Sequence, residues 1–164
     1  MNFICVGEIV NTHGIKGEVR IISDFRYKKE VFKKDFKLYI GKEKKELIIN
    51  TYRIHKIYDM VTFKNIIDIN DVLEYKGCNV YINREDLKID GILDEDIIGL
   101  KVYSKNKEIG ILKEIIKSKA HDILIIKNQN SKYLVPYINE FIEKIDLDNK
   151  KIYIKEIEGL LNEN

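Results

Sequence analysis

Three scarcities narrow the reading of this 164-residue chain before any pattern is sought. Cysteine occurs twice, at Cys5 and Cys78, in apolar surroundings and never as a CxxC pair. Free, buried thiols in a reducing cytosol are the expectation. Histidine occurs three times, at His13, His55 and His121, with no second His or Cys at zinc-ligand spacing, so no metal site is expected. Long apolar runs are missing: none reaches membrane-spanning length, and no N-terminal signal pattern is visible. The GxSxG, HExxH and dinucleotide fingerprints are also absent. Carboxylates are abundant, but no two can be paired for acid–base work from one sequence. The expectation is a soluble, cytoplasmic, non-enzymatic protein with no cofactor, no membrane contact and no small-molecule substrate.

Charge is plentiful but nearly balanced, at a net +2. The halves differ: residues 1–85 hold 16 basic and 12 acidic groups, and residues 86–164 hold 13 and 15. Such polarity would let one half favour RNA and the other a basic protein, or it is an incidental imbalance. The chain length suits one domain or two small ones of modest stability.

Short β-rich runs recur between turn residues. Candidate strands are Phe3–Val10, Glu18–Ser23, Phe36–Ile40, Glu46–Lys56, Met60–Lys64 and Asn79–Ile82. Ile48, Tyr52, Ile54 and Val61, Phe63 alternate as half-buried strands do. A short helix is predicted from Asn70 to Tyr75, with Asp71 and Glu74 at capping-box spacing and Gly77 as its stop. The polar stretch from Asp86 to Glu95 reads as a connector. Beyond it lie Leu100–Tyr103, Glu108–Lys117, Ile123–Lys127, Tyr133–Val135 and a last strand Lys151–Glu156, with turns at Ser104–Lys107, Asn128–Ser131 and Asp146–Lys150. Pro136, the one proline, suits the first position of a helix running to about Glu143, with Tyr137 and Phe141 on its apolar face. Many short strands favour small barrels or sandwiches. The domain expectation is 1–85, a linker 86–95, and 96–164.

Two stretches suggest chemistry. The first is Val6-Gly7-Glu8-Ile9-Val10-Asn11-Thr12-His13-Gly14-Ile15-Lys16-Gly17-Glu18-Val19-Arg20. Two β runs flank a glycine-bearing loop that shows His13 and Lys16 at its tip. Gly14 and Gly17 can take positive φ at little steric cost. A plain hairpin turn and a contact point for phosphate or another acidic partner both fit. A nucleotide-cradling loop does not, because neither glycine is followed by Lys-Ser/Thr and no helix pattern follows. The second stretch is Phe25 to Glu46, where Arg26, Lys28, Lys29, Lys33, Lys34, Lys37, Lys42, Lys44 and Lys45 alternate with Phe25, Tyr27, Phe32, Phe36 and Tyr39. Cations among rings suit RNA. Glu30, Asp35, Glu43 and Glu46 dilute the charge, so a solvated face over a core-facing aromatic row fits as well.

The first string resembles the N-terminal signature of the bacterial ribosome maturation factor RimM family. Further along, Arg53-Ile54-His55 is similar to that family's Arg-x-His. Asp96-Ile97-Ile98-Gly99-Leu100-Lys101-Val102 resembles the opening of its PRC-barrel domain, followed by Ile109-Gly110. Leu134-Val135-Pro136, Ile145-Asp146-Leu147 and Glu158-Gly159-Leu160-Leu161 follow in family order. The resemblance implies a mainly β protein of two small barrels, the first like that of translation elongation factors and the second a PRC-barrel, with short helices. It also implies an assembly factor of the small ribosomal subunit that binds small-subunit ribosomal protein nineteen and assists maturation of small-subunit rRNA. RNA or ribosome contacts would fall on Asn11, Thr12, His13, Gly14, Lys16, Gly17, Arg20, Arg53 and His55. The ribosomal protein would meet Ile92, Leu93, Asp94, Glu95 and Asp96. One departure stands out: Ile92 and Leu93 occupy the places where the family usually has an aromatic pair. From the residues alone, a general RNA-binding barrel, an RNA-processing enzyme and a PRC-barrel interaction scaffold remain open.

Overall fold

The long first strand shows how the sequence builds the fold. In β1 (Phe3–His13) Ile4 and Val6 face inward, then the buried phase slips and Ile9 is the next residue inside. A bulge between Cys5 and Gly7 in the pairing with β6 accounts for the slip, and a second follows between Ile9 and Asn11 in the pairing with β2. Each extra residue reverses the alternation and bends the strand. The bent strand can therefore serve two neighbours and close a ring.

The computed structural model describes residues 1–155 of the chain. They fall into two units, Met1–Ile89 and a second starting at Asp90. In the first, β1, β2 (Glu18–Ile22), β3 (Lys37–Ile40), β4 (Lys45–His55), β5 (Tyr58–Phe63) and β6 (Asn79–Asn83) form a closed barrel in the order β1-β2-β5-β4-β3-β6. All its pairings are antiparallel. Ile9, Val19, Ile21, Leu38, Ile49, Val61, Phe63, Val80 and Ile82 are almost wholly buried. A one-turn helix α1 (Lys28–Val31), not predicted from the sequence, buries Val31 and brings in Phe32, whose ring stacks at 6.1 Å on Tyr52.

In the second unit β7 (Lys101–Ser104), β8 (Lys107–Ile116), β9 (Ile123–Lys127), β10 (Lys132–Pro136), β11 (Ile142–Asp146) and β12 (Lys151–Ile154) form one six-stranded sheet, ordered β10-β9-β8-β7-β12-β11. β12 runs parallel to β7 and the other pairs are antiparallel. Its core joins Val102, Leu112, Leu124, Ile126, Val135, Ile152 and Ile154 to Ile97 of a second one-turn helix, α2 (Asp94–Ile97).

Several expectations need correction. Residues 70–75 form two separate 3-10 turns, Ile69–Asp71 and Leu73–Tyr75, and not one capped helix. Asp68 is the cap, accepting from Asn70 N at 2.8 Å, and buried Val72 joins the two turns. Pro136 opens no helix. It ends β10 opposite Ile123, and the helical apolar face becomes the loop and strand that lead Tyr137, Phe141 and Ile142 onto the core. Proline is tolerated there because β10 lies at the end of the sheet. Cys5 is exposed and Cys78 half-buried, though both are free thiols. Cys5 sits on the outward phase of β1 between inward Ile4 and Val6. The polar segment 86–95 is not a bare tether, for Leu87 and Leu93 are buried and α2 begins at Asp94. Glu156 and the Glu158–Leu161 motif lie outside the described residues.

Candidate functional site

β1 and β2 stay paired up to His13 opposite Glu18, and Gly14 to Gly17 form the turn. Gly14 has φ +69° and Gly17 φ +94°, a region that costs an L side chain roughly 1–2 kcal/mol. A Cβ on Gly14 would meet nothing within 4 Å, but one on Gly17 would lie 3.0 Å from Ile66 Cγ2. Gly14 therefore serves the turn alone, while Gly17 serves both turn and packing. Ile69 N donates to Ile15 O at 2.9 Å and pins the loop from beneath. Lys16 is exposed, and Ile15 is 76% exposed at the tip.

The outer face beside this tip is set by strand alternation. Val19 and Ile21 of β2 point into the barrel, so Glu18 and Arg20 point out. The register carries that face across the sheet: Arg20 lies opposite Met60, Met60 opposite Arg53, and Tyr58 opposite His55. Residues remote in sequence thereby meet. Arg20 Nη2 donates to His13 Nδ1 at 2.8 Å, and its guanidinium lies 5.4 Å from the centre of the Tyr58 ring. An arginine can only donate, so Nδ1 of His13 is the acceptor and the neutral ring carries its proton on Nε2. The His13 and His55 rings stand 5.7 Å apart. Arg53 grips Glu18 with two hydrogen bonds, Nε to Oε2 at 2.9 Å and Nη2 to Oε1 at 2.7 Å. Asn11 lies opposite Arg20 on the exposed edge, and its Oδ1 accepts from Thr12 N at 2.8 Å.

These contacts set the electrostatics. The Arg53 hydrogen bonds hold the Glu18 carboxyl below its usual range, against a smaller opposing effect of burial. Partial burial, then the nearby charges of Arg53 and Lys56, push the His55 imidazole below its ordinary value. Glu18 is ionised and neutralised by Arg53, which leaves Lys16, Arg20 and Lys56 as the net charge of the face. Arg20 Nε is buried without a hydrogen-bond partner. The arrangement presents donors and cations to an anion. Among the described residues, no group of three or more His, Cys, Asp or Glu side chains is placed to hold a metal, and no helix is long and apolar enough to cross a membrane.

Of the residues singled out in sequence, His13, Arg20, Arg53 and His55 gather on this face, while Asn11, Thr12, Gly14, Lys16 and Gly17 make its rim. Glu18 and Tyr58 belong to the face and were not singled out. Glu18 stood inside the signature string, but its role depends on Arg53, which is 35 residues away. Tyr58 carried no signal beyond being aromatic next to a turn.

The second group behaves differently. Leu93 is 7% exposed, and Ile92 packs partly against the core of the second unit. Asp94 pairs with Lys117, which also meets Asp122 at 2.9 Å. Asp96 Oδ2 accepts from Leu93 N at 2.8 Å and closes the start of α2. Glu95 and Asp90 are exposed, and Ile98 beside them is 44% exposed. In the stretch from Phe25 to Glu46, Phe32 and Tyr39 are buried and Lys28 pairs with buried Asp59 at 3.0 Å. Lys44 covers the Tyr81 ring at 4.0 Å. Lys29, Lys33, Lys34 and Lys37 remain exposed. The aromatic row thus splits, with Phe32 and Tyr39 serving the core and Phe25, Tyr27 and Phe36 half-buried.

The comparisons with known proteins agree along the whole chain. The family model for the RimM N-terminal domain matches residues 4–87, and that for the RimM PRC barrel domain matches residues 94–160. The ribosome maturation factor RimM of Finegoldia magna is 38% identical over 98% of this chain and 100% of its own length. That of Ligilactobacillus salivarius is 40% identical over 98% and 99%. The solution structure of the N-terminal domain of RimM from Thermus thermophilus superposes with a TM-score of 0.47 at 16% identity, covering 54% of this chain and 98% of that one. With both domain models matched in order and relatives matched end to end, the chain belongs to the RimM family.

Proposed function

We propose that this protein is a maturation factor of the small ribosomal subunit, acting in the cytoplasm by binding and not by catalysis. Family membership over both units carries the reading, since the matched relatives bear the name ribosome maturation factor. The first unit would contact small-subunit rRNA through the outer face of its β1–β2 hairpin. Lys16 and Arg20 supply charge for phosphate, and His13, His55 and Asn11 supply directional donors. The second unit would meet small-subunit ribosomal protein nineteen at the start of α2. Ribosomal proteins are generally basic, and residues 86–164 are net acidic, with Glu95 and Asp90 exposed. Complementary charge speeds encounter and orients docking. Because Leu93 is largely buried, Ile98 and the open edge of Ile92 are the apolar surface left for that contact.

Sedimentation of cell extract tests the reading. The protein should travel with free small subunits and be absent from translating ribosomes. Confinement to the light fractions would sink it. Titrating the full-length protein with purified ribosomal protein nineteen tests the partner assignment. Affinity should fall with Glu95→Lys and stay unchanged with Lys16→Glu.

A further inference from the structure

Beside the hairpin-tip face, within the first unit, a groove of about 540 Å³ opens between α1 and the β4–β5 turn. Its walls combine rings with cations. Phe25 and Tyr27 meet edge to face at 6.1 Å, and the Arg26 guanidinium lies 5.3 Å from the Tyr27 ring centre. Lys29 and Lys56 stand exposed at its margins. Ile54 and Ile57, 72% and 74% exposed, form an apolar lip. The floor is closed electrically. Asp59 is 2% exposed and accepts from Tyr52 Oη at 2.6 Å and Lys28 Nζ at 3.0 Å. Its charge is therefore spent inside, and the charges left facing the groove are Arg26, Lys29 and Lys56 against Glu30. Tyr58 lines the groove and also carries Arg20 at 5.4 Å, so the groove runs on into the hairpin-tip face.

We propose that this groove is a stacking subsite for one or two bases of single-stranded RNA. The phosphates of that RNA would lie along Arg26, Lys29 and Lys56, and its chain would continue past Tyr58 to the hairpin tip. The proposal rests on, and deepens, the assignment of RNA contact to the first unit. Single strands bind where a cationic track carries aromatic platforms, because every base offers a flat face and every nucleotide a charge. A duplex hides its bases and offers these rings little. A basic protein would meet like charge at three positions and gain no compensating acid except Glu30.

The test measures fluorescence anisotropy of the full-length protein with a labelled, unstructured RNA of about ten nucleotides, and with the same RNA annealed into a duplex, across a salt series. Tyr27→Ala should weaken single-strand binding about tenfold and leave the salt dependence intact. Tyr27→Phe, which keeps the ring, should bind as the parent does. Reversing Lys29 and Lys56 together to Glu should weaken binding and flatten the salt dependence. The duplex should bind more weakly than the single strand. Parent-like binding by Tyr27→Ala and by the double reversal would overturn the proposal. So would loss of affinity for a purified basic ribosomal protein in those variants, with RNA binding unchanged. Lys16→Glu separates the two assignments. If it alone loses RNA, the hairpin tip stands and the groove falls. If the groove variants alone lose RNA, the groove stands and the tip assignment falls.

Discussion

At the hairpin tip of the first barrel, Arg20 and Arg53 stand on an outer face, and only one of them is matched by a carboxylate. At the start of α2 in the second unit, Asp94 and Asp96 look just as prominent in sequence, yet each already has a structural partner. One pairs with Lys117, and the other receives the Leu93 amide. A charge that already has a partner within its own unit has little left to offer a ligand, because a second contact must compete with the first. The charge left open in each region is therefore the remainder: Lys16, Arg20 and Lys56 in one, Glu95 and Asp90 in the other.

The largest expected effect separates the two glycines of the tip. Gly17→Val should destabilise the first unit by about 2–3 kcal/mol, from left-handed strain plus overpacking against Ile66. Gly14→Val should cost only about 1–2 kcal/mol, from strain alone. Chemical denaturation of both variants checks this, and equal losses would mean that the Ile66 contact relaxes freely. Next comes Asp96→Ala. If its carboxylate serves the start of α2, the second unit should lose about 1 kcal/mol, and exchange protection of the Leu93 amide should fall. Unchanged stability with reduced affinity for the ribosomal protein would reverse the contrast drawn above.

The Glu18–Arg53 pair gives a smaller, pH-dependent effect. The Glu18 carboxyl is held below its ordinary value of 4.5 by the Arg53 hydrogen bonds. A depressed carboxylate contributes stability above its unfolded value and loses it as pH falls through the folded one. Arg53 is half exposed, so solvent screening keeps the contribution small. Glu18→Gln should be slightly less stable than the parent at neutral pH, and the gap should close in acid, as thermal melts at both ends of the range would show. A gap that persisted in acid would assign Glu18 a packing role. The smallest effect is Lys16→Gln, which should leave stability unchanged and reduce the salt slope of RNA binding by about one. No change would remove Lys16 from the proposed phosphate contacts.

Much of the fold was legible because strand alternation and turn chemistry are local. The β7–β8 turn shows this, with Lys105 at φ +50° and Asn106 at φ +62° between strands that end within one residue of where the sequence suggests. Elements that failed were short or context-bound. Helix α1 is held by burial of Val31 and Phe32 in a barrel the local sequence cannot see. Pro136 suits a helix start as well as a sheet end, and only its neighbour β9 decides between them. The site shows the same division. Residues within one signature string, from Asn11 to Arg20, were readable together. The join of that string to Arg53, His55 and Tyr58 required the β2-β5-β4 order.

Strand content, the glycine-bearing hairpin and the family follow from the chain's own order of residues, because each is written in close neighbours or in the succession of motifs. Which charges stay available was settled only by folding. Folding turned Cys5 outward, buried Leu93, matched Glu18 with Arg53 across the sheet, spent Asp59 inside, and gave Asp94 and Asp96 partners within their own unit. The reason is physical. Alternation is local, but burial and ion pairing depend on distances through space, and those are fixed only when the strands close on one another.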